Sequence, residues 1–222
     1  MESYFKNRGW TEETINAFKL KEYPGNIEIP YYDINGKYLF SKFRSKLEKK
    51  FWYSQADISL SLYNLWNIEK YKDYIVICEG EIDTLTLFQW DINAVGCPGA
   101  KVFKAEWEKL FKDTVKIYIC FDNDIPGIEG AIDLSEKVFK SRNTYNILLP
   151  RENGVKDIND LLVKAKYSRE DFMILISQAT IHKTVQIKNV KEILKEEKKK
   201  EVKASSFIEG RIIGETIFNR ET

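Results

Sequence analysis

The sequence has one histidine, His182, and three cysteines, Cys78, Cys97 and Cys120, in 222 residues. The histidine stands far from every motif described below, so a Ser-His triad and histidine acid–base chemistry are not expected. The cysteine spacings match neither a zinc ribbon nor a Cys-x-x-Cys pair, so a zinc site is not expected. Cys78 and Cys120 fall inside strand-like runs and read as buried free thiols. No apolar run is long enough to span a membrane, and the N-terminus lacks a signal-peptide pattern. The expectation is a soluble, cytoplasmic protein with no membrane partner. No Gly-x-x-x-x-Gly-Lys-[Ser/Thr] loop occurs, so the chain is not expected to work alone as a nucleotide-driven motor. No internal repeat is visible. Catalysis, if present, must rest on carboxylates, lysines and a metal ion.

The formal net charge is only +1, but the charges are not evenly spread. Residues 35–53 carry Lys37, Lys42, Arg44, Lys46, Lys49 and Lys50 against Glu48 alone, whereas residues 71–165 carry 12 basic and 16 acidic side chains. A basic module beside an acidic one suits a polyanion held by the first and metal-dependent chemistry in the second. Such runs are also commonly just solvated faces. The length allows one α/β domain with appendages, or two small domains.

Residues 11–20 read as a short helix, capped by Thr11, with Glu12 and Glu13 in its first turn. Residues 27–43 read as β-structure. Asp33-Ile34-Asn35-Gly36-Lys37 has the signature of a hairpin turn. The strand after it, 38–44, would place Lys42 and Arg44 on one face. Residues 55–70 form a mixed connector. An alternation follows: strand 74–78, helix 82–90, strand 94–96, helix 104–111, strand 115–121, helix 128–139 and strand 144–149. This pattern argues for a parallel sheet covered by helices, with ligands outside the carboxyl ends of its strands. Residues 157–166 and 168–178 look helical. The Lys/Glu-rich stretch 188–203 reads as an exposed helix or linker, and 212–218 as the start of another element.

Acidic motifs stand at three strand ends. Glu79-Gly80-Glu81-Ile82-Asp83 follows strand 74–78. Asp122-Asn123-Asp124-Ile125-Pro126-Gly127 follows strand 115–121. Lys156-Asp157-Ile158-Asn159-Asp160 follows strand 144–149 and a loop. Asp122 and Asp124 are two apart on an extended chain, so they share one side and repel each other unless a cation joins them. Each motif alone is weak: Asp157 by itself reads as a helix cap, and Asp83 as a helix-start residue or a partner standing behind the ligands. Their recurrence within one parallel unit is the stronger signal, because all three would gather on one rim.

These residues, with Gly96-Cys97-Pro98-Gly99-Ala100, resemble a TOPRIM domain. The run from Glu79 to Leu87 and the ending Lys156-Asp157-Ile158-Asn159-Asp160-Leu161-Leu162 are similar to the primase half of phage-type primase–helicases, the branch related to the mitochondrial helicase Twinkle. The TOPRIM part covers roughly residues 72–165. The hairpin with Lys42-Phe43-Arg44-Ser45-Lys46 and the opening helix are similar to the basic subdomain that precedes it, so the resemblance spans most of residues 4–178. It implies an α/β fold: a parallel sheet flanked by helices, after a small basic α+β subdomain and before a charged helical tail. The expected division is 1–70 for the basic subdomain, 71–180 for the catalytic domain and 181–222 for linker and tail.

The resemblance further implies RNA primer synthesis on single-stranded DNA from ribonucleoside triphosphates, with Mg²⁺ or Mn²⁺. Glu79, Asp122, Asp124 and Asp157 would hold the metal, and Glu79 would accept the proton. Glu79, Asp122 and Asp124 would be catalytic, with Asp83 behind them. Lys42, Arg44, Lys46, Lys101 and Lys156 would contact nucleotide or DNA. A solvated face is an equal reading for Lys46, Lys49 and Lys50, and a local ion pair with Asp157 for Lys156. Trp52 and Tyr53 would be candidates to stack on bases, while most of the tryptophans pack in cores. Full primases of this kind carry a zinc module ahead of this region and, in the phage branch, a helicase behind it. These residues carry neither, which leaves open whether such parts were cut away or never belonged to the protein, and a replicative helicase, fused or separate, is the implied partner. A virus- or plasmid-borne gene is compatible with that branch. The alternatives are a TOPRIM nuclease and a non-catalytic DNA-guiding module of a helicase. A topoisomerase would need a further domain to carry its tyrosine nucleophile.

Overall fold

The computed structural model describes residues 3–181. The expected linker and tail, including 188–203, 212–218 and His182, lie outside the described residues. The chain opens with helices α1 (Tyr4–Asn7) and α2 (Glu12–Ala17). Thr11 caps α2 as expected, its hydroxyl accepting from the Thr14 N–H at 3.3 Å. Strands β1 (Lys21–Glu22), β2 (Asn26–Tyr32), β3 (Tyr38–Ser45) and β4 (Phe51–Tyr53) then form an antiparallel sheet in chain order. At the β2–β3 turn, Asp33 Oδ1 accepts from the N–H groups of Asn35 and Lys37, both at 2.9 Å, and Gly36 takes a left-handed φ of 76°.

The register explains the fate of the basic residues. Lys42 lies opposite Ile29, and Arg44 opposite Ile27. Directly opposed residues share a face, and Ile27 and Ile29 are fully buried. Lys42 and Arg44 therefore do share a face, but it is the packed one. On the other face Phe43 and Trp52 stack, with ring centroids 5.7 Å apart and 10° between planes. The packed face meets the next helix: Phe18, Ile27, Tyr31 and Phe40 form one core with Ile82 and Leu85.

A 3-10 turn (Leu65–Lys70) links this sheet to the second one. There β5 (Tyr74–Cys78), α3 (Glu81–Gln89), β6 (Ala94–Gly96), β7 (Lys116–Cys120), α4 (Ile125–Asp133), β8 (Thr144–Asn146), α5 (Ile158–Val163), α6 (Arg169–Gln178) and β9 (Thr180–Ile181) follow. The strand order is β6-β5-β7-β8-β9, parallel except for the antiparallel β9. Side chains alternate into two cores, Val76, Cys78 and Leu87 on one face and Ile75, Ile77 and Val95 on the other. Burial on both faces is why β5 and β7 read as unbroken apolar runs.

Several elements differ from the sequence reading. β8 ends at Asn146, because β7 gives way to the Asp122 turn; the Ile147 N–H still reaches Ile119 O at 2.9 Å, and Leu148 is exposed. Residues 105–111 are 3-10 rather than α-helical. Helix α4 starts earlier than residue 128 and closes in a π-helical turn, Leu134–Val138. The connector adds an unforeseen bridge, in which Tyr63 and Gly96 exchange backbone hydrogen bonds of 2.8 and 3.1 Å. Among the described residues no helix is long and apolar enough to cross a membrane.

Candidate active site

The strand order reverses between β5 and β7, and in open α/β sheets the crevice beyond such a point is where ligands bind. Cys78 and Cys120 are register partners at the ends of these strands. Glu79 therefore leaves β5 beside the turn that carries Asp122. Its Oε2 accepts from the Asp122 N–H at 3.4 Å. Burial raises the Glu79 pKa, and the charge of Asp124 adds to that rise. Asp122 is pushed up to about 7 by burial and then by Glu79, Asp157, Asp124 and Asp160.

Asp124 and Asp157 both start helices. Asp124 Oδ1 accepts from the Gly127 N–H at 2.9 Å and caps α4. Asp157 Oδ1 accepts from the Asp160 N–H at 2.7 Å and caps α5. Burial raises the Asp157 pKa and the Asp160 charge adds to it, against that hydrogen bond and the charges of Arg8 and Lys164. The two turns are tied together by the Asn123 N–H, which donates to Lys156 O at 2.6 Å. Gly127 lets this turn close, because a Cβ there would lie 2.9 Å from Asp122 N and nearer still to Asp122 O.

Asp83 lies in the first turn of α3, 6% exposed, and accepts from the Asn159 N–H at 3.2 Å. Burial, then Asp157 and Asp122, hold its pKa well above the ordinary value. Its place at the start of the helix is the one expected from the sequence.

This donor set suits a hard divalent cation, which takes oxygen ligands and relieves repulsion between carboxylates. It is not a closed cage. Among the described residues no group of three or more His, Cys, Asp or Glu side chains is arranged to hold a metal ion. A rim in which Asp124 and Asp157 each give one oxygen to a helix cap fits Mg²⁺, which binds through few carboxylates and keeps several waters.

The basic residues are dispersed. Lys42 pairs with Glu81 at 2.8 Å, largely buried. Lys46 pairs with Glu22 at 3.0 Å, and Glu22 also accepts from Ser3 and from the Tyr4 N–H. Lys101 pairs with Glu129 at 3.5 Å near solvent. Arg44 is partly buried and Lys156 exposed. The Lys156 N–H donates to Asp160, whose carboxylate pairs with Lys164 rather than with Lys156. Trp10, Trp90 and Trp107 are core residues, whereas Trp52 is 43% exposed.

Three residues near the site had no role in the sequence reading: Glu81, Arg8 and Asn159. Asn159 is buried, and its amide accepts from Arg8 Nη1 at 3.1 Å and donates to Arg8 O at 2.9 Å and Thr86 Oγ1 at 3.0 Å. The residue standing directly after Asp157-Ile158 was a signal in hand, but its partner lies 151 positions away.

Residues 76–162 match the model of the Toprim-like family. This part of the chain has a Toprim-like fold. In sequence it is 33% identical over 101 residues to the gene 57 protein of Mycobacterium phage D29, covering 46% of this chain and 62% of that protein. It is 25% identical over 193 residues to the DNA primase of Buchnera aphidicola, covering 79% of this chain and 32% of the primase. The chain thus spans only part of these relatives. In structure it resembles the zinc-binding and RNA polymerase domains of the Aquifex aeolicus primase (TM-score 0.70, 20% identity, 87% of this chain and 59% of that one). It also resembles the primase fragment of the bacteriophage T7 primase-helicase protein (TM-score 0.63, 24% identity, 79% and 74%). The Toprim-like domain and the small sheet before it together have the fold of primase catalytic cores.

Proposed function

We propose that the chain is the catalytic core of a metal-dependent DNA primase, a nucleotidyltransferase that makes short RNA primers on single-stranded DNA. The observation that supports this best is the meeting of Glu79 and Asp122 at the switch point of a primase-type fold. Glu79, Asp122, Asp124 and Asp157 would hold Mg²⁺ or Mn²⁺, and the chemistry so supplied is stabilisation of charge on the transferred phosphoryl group and the leaving pyrophosphate. Glu79 accepts the proton of the attacking 3′-hydroxyl. Asp83 fixes the first turn of α5 through Asn159 and so steadies Asp157. Lys42 and Arg44 on the inner sheet face, with Lys46, Lys101 and Lys156, contact the triphosphate or the template.

In this reading residues 1–70 form the template-facing subdomain and 71–180 the catalytic domain. The substrates are ribonucleoside triphosphates, the template is single-stranded DNA in the cytoplasm, and a replicative helicase, fused or separate, is the partner. The test is to incubate the chain with single-stranded DNA, ribonucleotides and Mg²⁺ or Mn²⁺ and resolve the products. Short RNA is expected. No product on any template, even with a zinc module or a helicase supplied, would refute the proposal. Metal-dependent cleavage without added nucleotides would point instead to a nuclease.

A further inference from the structure

The ion pair between Lys42 and Glu81 joins the two sheets at the edge of the site, and the roles above give Glu81 no part. Glu81 opens α3 two residues after Glu79 and is 4% exposed. Its Oε1 accepts from Lys42 Nζ at 2.8 Å and also from the Tyr31 hydroxyl. Tyr31 lies on the same sheet face as Lys42 and is itself buried. On its outer side the Lys42 ammonium lies over the half-exposed ring of Phe51, 4.6 Å from the centroid. The ammonium is thus held between Glu81 and the Phe51 ring, with the Lys42 side chain 12% exposed.

Stability alone is a weak reason for such a pair. A buried ion pair loses the hydration of both charges and is commonly matched by apolar residues of the same size. Geometry offers a better one. An ammonium has three N–H groups, and Glu81 takes one. A lysine on a solvated strand would lose rotamer freedom on meeting a ligand; a lysine already fixed does not, and binds more tightly for that reason.

We propose that Glu81 is a positioning residue: with Tyr31 it holds the Lys42 ammonium at the start of α3, so that the remaining N–H groups meet the phosphates of a nucleoside triphosphate bound beside Glu79. This rests on the reading of the site as nucleotide-polymerising. Glu81 touches no substrate and acts through Lys42.

The test uses the full chain and Mg²⁺-ATP as the probe, with affinity read by calorimetry and KM and kcat by primer synthesis. K42M should weaken ATP binding about tenfold, the worth of one charge-assisted hydrogen bond. E81Q keeps an acceptor for Tyr31 but loses the attraction that fixes the ammonium. It should weaken binding by a similar factor and raise KM with kcat little changed. The double variant K42M/E81Q should be no worse than either single one. K42M/E81M, an apolar pair, guards against misfolding: it should restore the melting temperature without restoring ATP affinity. The proposal is overturned if E81Q binds ATP as the wild type does, if the two losses multiply, if K42M/E81M recovers affinity along with stability, or if the wild-type chain does not bind Mg²⁺-ATP. A chain that makes no primer yet shows this coupling sinks the primase reading alone. One that makes primer while E81Q keeps the wild-type KM sinks the positioning role alone.

Discussion

Glu79 accepts a hydrogen bond from the backbone of Asp122 at 3.4 Å, across the junction of the two central strands. The contact sets one carboxylate against the turn that carries the next two. Their chemistry is therefore shared, and so are the consequences of changing any one of them.

The substitution Glu79→Gln separates proton transfer from metal binding. The amide cannot accept the hydroxyl proton, so nucleotide incorporation should fall by about 10²-fold or more. Asp122, Asp124 and Asp157 remain, so Mg²⁺ or Mn²⁺ should still raise the melting temperature of the variant. Primer synthesis and metal-dependent melting, measured on the same preparation, check both halves.

The raised pKa of Asp122 makes the metal-free chain sensitive to pH. The folded value is about 7 against an ordinary 3.8. The folded state thus binds the proton more tightly than the unfolded chain. Stability from this group is full below the ordinary value and is lost as the pH rises through 7. Asp122→Asn removes the loss. At pH 8 the variant should be more stable than the wild type by ~2 kcal/mol, allowing for partial exposure of the side chain. The gap should close below pH 4. Adding Mg²⁺ at pH 8 should narrow it by stabilising the wild type. Melting curves across pH, with and without metal, give the comparison.

Asp157 has two tasks that substitution can part. Asp157→Ala removes the α5 cap and should cost ~1 kcal/mol relative to Asp157→Asn, which caps equally well. The Asn variant also sheds repulsion with Asp83 and Asp122, so it should be at least as stable as the wild type. Urea unfolding ranks the three proteins, and both variants should respond less to metal.

Gly127→Ala tests the closure of the aspartate turn. The new methyl group would meet Asp122 backbone atoms, one of them at 2.9 Å, and no rotamer can relieve that. A loss of ~1–3 kcal/mol is expected, together with a weaker metal response. Gly25→Ala, where a Cβ meets nothing within 4 Å, is the control and should change stability by less than ~0.5 kcal/mol.

The parallel sheet was readable because its central strands are apolar on both faces and short enough to be bounded by charges. β5 and β6 match their expected limits, and the acidic turns fall at strand ends, as a local pattern can show. The Asn-Gly hairpin and the caps at Thr11 and Asp157 are likewise local. Non-local partners were not readable. Nothing near Lys42 in the sequence names Glu81, 39 positions on, as its counter-ion. Nor does a strand pattern say which of its two faces will be covered: alternation places Lys42 and Arg44 together, but only the packing of Ile27 and Ile29 against α3 decides that they point inward. The π-helical turn Leu134–Val138 and strand β9 depend on tertiary packing that short-range propensity does not encode.

The bridge between Tyr63 and Gly96 has a consequence away from the chemistry. β6 is an outer strand, and an outer strand with free N–H and C=O groups is a template on which another chain can pair. Here the connector takes up both backbone groups of Gly96, and the fully buried Tyr63 anchors it there. That stretch of the β6 edge is thereby covered by a loop rather than by another strand.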